Sequence, residues 1–189
     1  LSGSVENSKR LVMMNPESFE SKYNIDARVN SEVVAINRAN KTVTVKNVET
    51  DETYEESYDE LILSPGASPI VPNLQGVDLP HVFTVRNVVD IEKLQHAIVE
   101  KDAKNIAVVG GGFIGVEVAE NLRLAGRGVS LVEFAPQILM PFDEDMVQIL
   151  HKEVTDHGVE LVVNDGLAKI TETSILLNSG KEIQADIVV

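Results

Sequence analysis

The chain has 189 residues, 43% of them hydrophobic and 24% charged, enough for one large or two small globular domains. Its formal net charge of −14 argues against a nucleic-acid partner. There is no cysteine, no apolar run of the roughly 18 residues a membrane span needs, and no visible signal peptide, so disulfides and thiol chemistry are excluded within these residues and a soluble, cytoplasmic protein is expected.

In chain order, Arg10 to Met14 is apolar, Pro16 to Lys22 is predicted as a short helix with an early proline, and Ile25 to Val29 as a strand. Strands are predicted again at Glu32–Ile36, Lys41–Val48 and Thr53–Leu63. Thr42, Thr44 and Lys46 alternate with Val43, Val45 and Asn47, the pattern of a half-exposed strand. The result is an antiparallel meander turning at Ala39-Asn40 and Thr50-Asp51. Seven acids between Glu49 and Glu60 read as a solvated hairpin face. Ser64-Pro65-Gly66-Ala67-Ser68-Pro69 breaks the pattern, and extended chain from Pro72 to Pro80 makes this the candidate linker. Val82 to Val85 is predicted as a strand. Asn87 to Glu100 is an amphipathic helix facing inward with Val88, Ile91, Leu94 and Ile98.

The most informative stretch is Asn105 to Glu133, NIAVVGGGFIGVEVAENLRLAGRGVSLVE. A short apolar strand, Ile106 to Val109, runs straight into Gly110-x-Gly112-x-x-Gly115. Ile114, Val118, Leu122 and Ala125 then recur at helical spacing until Gly126, and a second strand, Val129 to Val132, ends on Glu133. This order of strand, glycine turn, helix, strand and acid is the fingerprint of a dinucleotide-binding unit. Gly110 permits a tight turn, Gly112 lets a pyrophosphate approach the backbone, and Gly115 lets helix and strand pack closely. The free N–H groups and positive end of the helix then face the phosphates. The carboxylate of Glu133 can accept the adenosine ribose hydroxyls and repels a 2′-phosphate. No Lys or Arg occurs between Arg127 and Lys152, so NAD(H) is expected over NADP(H).

Further on, Asp143 to His157 reads as a helix with Met146, Ile149, Leu150 and Val154 inward and Gly158 as its stop. Glu160–Val163 resumes the parallel sheet. Ala168–Thr171, Ser174–Leu177 and Glu182–Gln184 form a second meander turning at Asn178-Ser179-Gly180, and Ala185 to Val189 is a closing strand. The four histidines, His81, His96, His151 and His157, lack ligand spacing, so no metal site is expected. The missing initiator Met and a strand with no turn after it read as the ends of a piece of a longer protein.

The meander followed by SPGASPIVPNLQGVDLP, VFTVRNV, VVGGGFIGVEVAENL, SLVE and DIVV resembles the FAD-dependent pyridine nucleotide-disulfide oxidoreductases. The opening LSGSVENSKRLVMMNPESFESKYNIDARVNSEVVAIN is most similar to their coenzyme A disulfide reductase, NADH oxidase and NADH peroxidase branch. The resemblance implies an α/β fold: a Rossmann-type parallel sheet with a β-meander, joined to a partial FAD domain rich in antiparallel strands. It divides the chain into residues 1–66, a partial FAD-binding domain lacking its N-terminal FAD-binding unit, and residues 67–189, an NAD(H)-binding domain. It implies a parent enzyme that passes hydride from NADH to FAD and on to a disulfide or an oxygen species, acts on a small-molecule substrate, and is a homodimer. Its FAD fingerprint, redox cysteine and dimerisation domain would lie outside these residues, leaving this piece inactive alone.

Carried over by position, Gly110, Gly112 and Gly115 cradle the pyrophosphate, Gly111 and Ile114 also belong to the cofactor-binding turn, and Glu133 holds the ribose. Phe113 stands where the family often has an aromatic gate over the flavin's nicotinamide face, or else is an apolar plug. Glu117 borders the nicotinamide, or is an acid of the helix's first turn stabilised by the dipole. Ser64, Pro65 and Gly66 match the junction where the chain leaves the FAD domain and passes near the flavin, with Ser-Pro where the family often has Ala-Thr. Asp186 is expected as a buried, hydrogen-bonded structural acid. A flavin reductase serving ferredoxin or rubredoxin, and a stand-alone NAD-binding module, are the alternative readings. Exposed apolar faces on the orphaned half are expected to drive association, which light scattering at high concentration would detect as dimers rather than a clean monomer.

Overall fold

Asn15 starts the first helix, α1 (Pro16–Tyr23): its side chain accepts the N–H of Ser18, 2.8 Å away, and the proline takes the first turn, where no N–H is needed. In this computed structural model, which describes residues 1–3 and 12–189, the chain forms two units, Lys9–Ala67 and Leu1–Ser8 with Ser68–Val189. The predicted apolar segment from Arg10 begins outside the described residues.

In the smaller unit three antiparallel strands follow in meander order: β1 (Ser31–Asn37), β2 (Thr42–Asn47) and β3 (Thr53–Ser57). Val43 and Val45 are buried and their threonine neighbours half-buried, as the alternation requires. Lys41 and Asp51, both at positive φ, complete the two turns. Two expected strands are not formed as predicted. Ile25–Val29 is irregular, bracketed by Asn24 and Asn30 in the left-handed region. The guanidinium of Arg28 donates to the side chains of Asp26, Tyr54 and Glu56. The predicted Thr53–Leu63 strand stops at Ser57, because Lys41, which accepts the N–H of Tyr58, is the last residue of the turn it could pair with. Val33, Val34 and Ile36 of β1 are exposed, as are Ile62 and Leu63.

The larger unit contains α2 (Val88–Glu100), β4 (Asn105–Val109), α3 (Phe113–Leu124), β5 (Gly128–Val132), α4 (Glu144–Asp156), β6 (Val159–Val162), β7 (Leu167–Ile170), β8 (Ser174–Leu177), β9 (Glu182–Gln184) and β10 (Ile187–Val188). Four strands form a parallel sheet in the order β10-β4-β5-β6, and β7-β8-β9 form an antiparallel meander. Alternation along β4 sorts the layers. Ile106 and Val108 pack with Leu94 and Ile98 of α2, Val118 and Leu122 of α3 and Val147 of α4. Ala107 packs with Ile170, Ile175, Leu177 and Ile183 of the meander. Helices therefore cover one face of the parallel sheet and the meander covers the other.

A reciprocal cap between Asn87 and Asp90 starts α2. Leu94 and Ile98 are buried as predicted, while Val88, in the first turn, is exposed. The predicted Val82–Val85 strand reduces to one parallel bridge between Val82 and Val188, since β10 is only two residues long and offers no longer edge. The inward face of α4 also differs from the prediction. Val147 is fully buried, whereas Met146 and Ile149 are exposed. The inner stripe runs through His151, a polar residue whose partner lies elsewhere in the chain. No helix among the described residues is long and apolar enough to cross a membrane.

Candidate functional site

The carboxyl ends of β10, β4 and β5 meet at the glycine turn. The N–H of Val109 donates to Val189 and that of Gly110 to Val132, each at 2.8 Å, so the turn sits where the strand order reverses between β4 and β10. That reversal is where open parallel sheets form their ligand crevice. Gly110 has φ +113°, a conformation costly for any residue with a Cβ. A Cβ on Gly115 would lie 1.9 Å from the carbonyl oxygen of Gly110, so the third glycine is demanded by the close approach of α3 to the turn. Gly111 is equally confined: its Cβ would come within 2.6 Å of Ile138. Gly112 is the opposite case. It caps α3 in an extended conformation with nothing within 4 Å of a Cβ position, and it has no side chain to cover the helix's first N–H groups. That open backbone at a helix N-terminus fits an anionic group.

Glu133 is buried at the end of β5. One carboxylate oxygen accepts the N–H of Gly111 at 2.6 Å and the other the N–H of Ala135 at 2.8 Å. A carboxylate can accept about four hydrogen bonds, so these two leave capacity for ribose hydroxyls.

The chain after Glu133 forms a strap, residues 134–142, across the back of the turn. Leu139 donates its N–H to the carbonyl of Gly111 at 2.7 Å while holding a left-handed φ of +50°. Gly111 is thus gripped through both its N–H and its C=O. Ile138, fully buried, donates its N–H to Nε2 of His151 on α4 at 3.2 Å. Nε2 must therefore be unprotonated. Burial pushes the His151 pKa below its ordinary value of 6.5. Because the folded state prefers the neutral ring, this contribution to stability is present above about pH 6.5 and fades as pH falls below it. His151→Gln keeps an acceptor without titrating. Its melting temperature should fall less than the wild type's between pH 7 and 5, by roughly 2–4 °C, the equivalent of one hydrogen bond. Parallel pH profiles of the two proteins would remove His151 from this role.

In front of the turn lies a crevice of about 480 Å³ with largely apolar walls, among them Ile70, Val71, Val85, Phe113 and Val189. Of the predicted site residues, Gly110, Gly112, Phe113, Ile114 and Gly115 line it, while Gly111 and Glu133 lie behind the turn. Phe113 is 57% exposed and meets Phe142 edge-on, with ring centroids 5.9 Å apart at 66°. Two expectations need correction. Glu117 lies beyond the first turn of α3, which holds no acid, and its side chain is exposed. Asp186 is exposed rather than buried, though its carboxylate does accept the N–H groups of Lys104 and Asn105, each at 2.8 Å. Ser64, Pro65 and Gly66 are exposed and belong to the smaller unit.

Sequence reading missed the strap and the Ile70–Val71 wall. A long apolar–polar mixture without period concealed the first, and a proline-rich stretch that looked like a plain linker concealed the second. Among the described residues no cluster of His, Asp and Glu could hold a metal ion. His81, buried in the larger unit, places Nε2 3.0 Å from the carbonyl of Thr171.

A parallel sheet with a glycine turn at its switch point and an acid closing the second strand defines an α/β protein of the Rossmann type. Residues 2–189 match the family described as pyridine nucleotide-disulphide oxidoreductase, and the chain belongs to that family. It is 34% identical over 188 residues to a coenzyme A disulfide reductase of Staphylococcus haemolyticus, covering 99% of this chain and 42% of that protein. The chain thus spans less than half the length of this curated relative. Its fold superposes on reduced Bacillus anthracis CoADR-RHD with a TM-score of 0.94 at 45% identity, covering 99% of this chain and 34% of the other. It also superposes on the water-forming NADH oxidase of Lactobacillus brevis, solved with NADH, with a TM-score of 0.85 at 30% identity, covering 99% and 42%.

Proposed function

We propose that residues 67–189 form the NAD(H)-binding domain, and residues 1–66 part of the FAD-binding domain, of a flavin-dependent oxidoreductase. In that enzyme NADH supplies a hydride to FAD, for delivery to a coenzyme A-type disulfide or to an oxygen species. The observation that carries this reading is the pairing of an open helix N-terminus at Gly112 with a buried acid, Glu133, fastened to the same turn. Gly110, Gly111, Gly112, Ile114 and Gly115 shape the pyrophosphate cradle. Glu133 accepts the adenosine ribose hydroxyls, and the nicotinamide half extends to the other side of the turn, into the apolar crevice beside Phe113. Glu117 borders that half from the second turn of α3. Ser64, Pro65 and Gly66 form the junction toward the flavin.

The likeness to an NADH-bound oxidase and to coenzyme A disulfide reductases supports the donor and the class of acceptor. The chain has no cysteine, so a thiol of the parent enzyme would come from outside these residues. On this reading the piece alone binds NADH and turns nothing over, while the whole protein is a cytoplasmic homodimer acting on a small molecule. Calorimetric titration of the 189-residue chain tests the binding claim. Saturable NADH binding, at least tenfold tighter than NADPH, is expected; preference for NADPH, or no binding of either, would overturn it.

A further inference from the structure

We propose that Phe142 is a positioning residue for the nicotinamide half of the cofactor, acting by holding Phe113 at the mouth of the crevice. The inference rests on the NAD(H) reading above. With the ribose on Glu133 and the pyrophosphate at the start of α3, the remaining half of the dinucleotide must pass the first side chain of that helix. That side chain is Phe113, a wall of the crevice that is more than half exposed and so weakly fixed by packing. Among the described residues its only ring neighbour is Phe142, and the edge-on geometry is the one that aromatic quadrupoles favour.

Phe142 does not earn its place by burial, being 46% exposed itself. Its backbone, in contrast, is held with unusual care. Its N–H donates to Leu139 and its carbonyl accepts the side-chain amide of Gln137, both at 2.9 Å. Leu139, which has a side chain and yet sits at positive φ, is in turn tied to Gly111, and Ile138 to His151. Strain of this kind persists only where the surroundings over-determine it, and it collects at functional sites. Here it serves to present a half-exposed ring to Phe113. The strap that starts at the ribose-binding acid therefore ends on the residue that sets the opposite wall.

Two ligands separate this role from a general one. NADH reaches both halves of the site, whereas ADP-ribose lacks the nicotinamide. In calorimetric titrations of the full chain, Phe142→Ala should weaken NADH by roughly two- to tenfold, the range for one aromatic pair, and leave ADP-ribose unchanged. Phe142→Tyr, which keeps the ring, should restore NADH affinity. In a Phe113→Ala background, Phe142→Ala should add nothing. An equal loss for both ligands would place Phe142 against the adenosine half or in general support of the turn. Unaltered NADH affinity, or a loss that persists without Phe113, would likewise overturn the proposal. If the unmodified chain saturates with neither ligand, the NAD(H) reading itself fails and takes this inference with it.

Discussion

Replacing Glu133 with alanine is expected to damage stability and binding together. The substitution strips the acceptor from two backbone donors, Gly111 and Ala135, beside a side chain that is 8% exposed. An unsatisfied buried N–H costs about 1–3 kcal/mol, so the pair should cost roughly 2–6 kcal/mol. Loss of a charged partner for the ribose hydroxyls should weaken NADH by a further 10- to 100-fold. Glu133→Gln retains one carbonyl acceptor but turns an amide donor toward the other N–H, so its stability should fall between alanine and wild type. Urea denaturation and NADH titration of the three proteins check this. An alanine variant of full stability that still loses NADH would mean that the carboxylate serves the ligand alone.

Gly115→Val should be as severe for a different reason. Its Cβ would sit 1.9 Å from the Gly110 carbonyl oxygen, where ordinary contact begins at 3.4 Å. The obstacle is backbone on both sides, so no rotamer change relieves it. The helix must retreat from the turn by about 1.5 Å. Overpacking of this kind costs about 3 kcal/mol at the upper end of its usual range, and a displacement of this size moves the N–H groups away from the proposed pyrophosphate position. A melting temperature lower by roughly 6–12 °C and NADH affinity reduced at least tenfold are expected. Wild-type melting and binding would show that the third glycine is not required by the approach of α3.

The parts of this protein that were legible in its sequence are those built from neighbours along the chain. Strand, glycine turn, helix and acid lie within Asn105 to Glu133, and each leaves a local mark: an apolar run, a glycine spacing, a 3.6-residue period. The meander of β1 to β3 was equally plain from the alternation around Val43 and Val45. What escaped notice depends on partners distant in sequence. A leucine in the left-handed region cannot be foreseen, because it is the Gly111 carbonyl, 28 positions earlier, that holds Leu139 there. His151 hid the inner stripe of α4 because a polar residue faces inward only when a buried donor awaits it, and that donor belongs to Ile138. Ile25 to Val29 had the composition of a strand, but composition cannot reveal that the segment meets β3 through the side chain of Arg28 and not through a backbone ladder.

The two-sided burial of β4 has a consequence for how the sheet finds its alignment. In a strand with one wet face, a slip by one residue is rejected because it drives polar groups inward. That check acts here in one direction only, through Asn105 at the strand's start, since both faces of β4 are covered and Ile106, Ala107 and Val108 are all buried. Size adds to polarity as the criterion. The meander leaves room at Ala107 for a methyl group, and the helices take Ile106 and Val108. A slip that puts Ala107 in the place of Ile106 would force Val108 into the shallow slot and leave a void in the deep one, and a slip the other way would carry the exposed Asn105 into the buried place of Ile106. The central strand of this sheet is proofread by volume as well as by polarity.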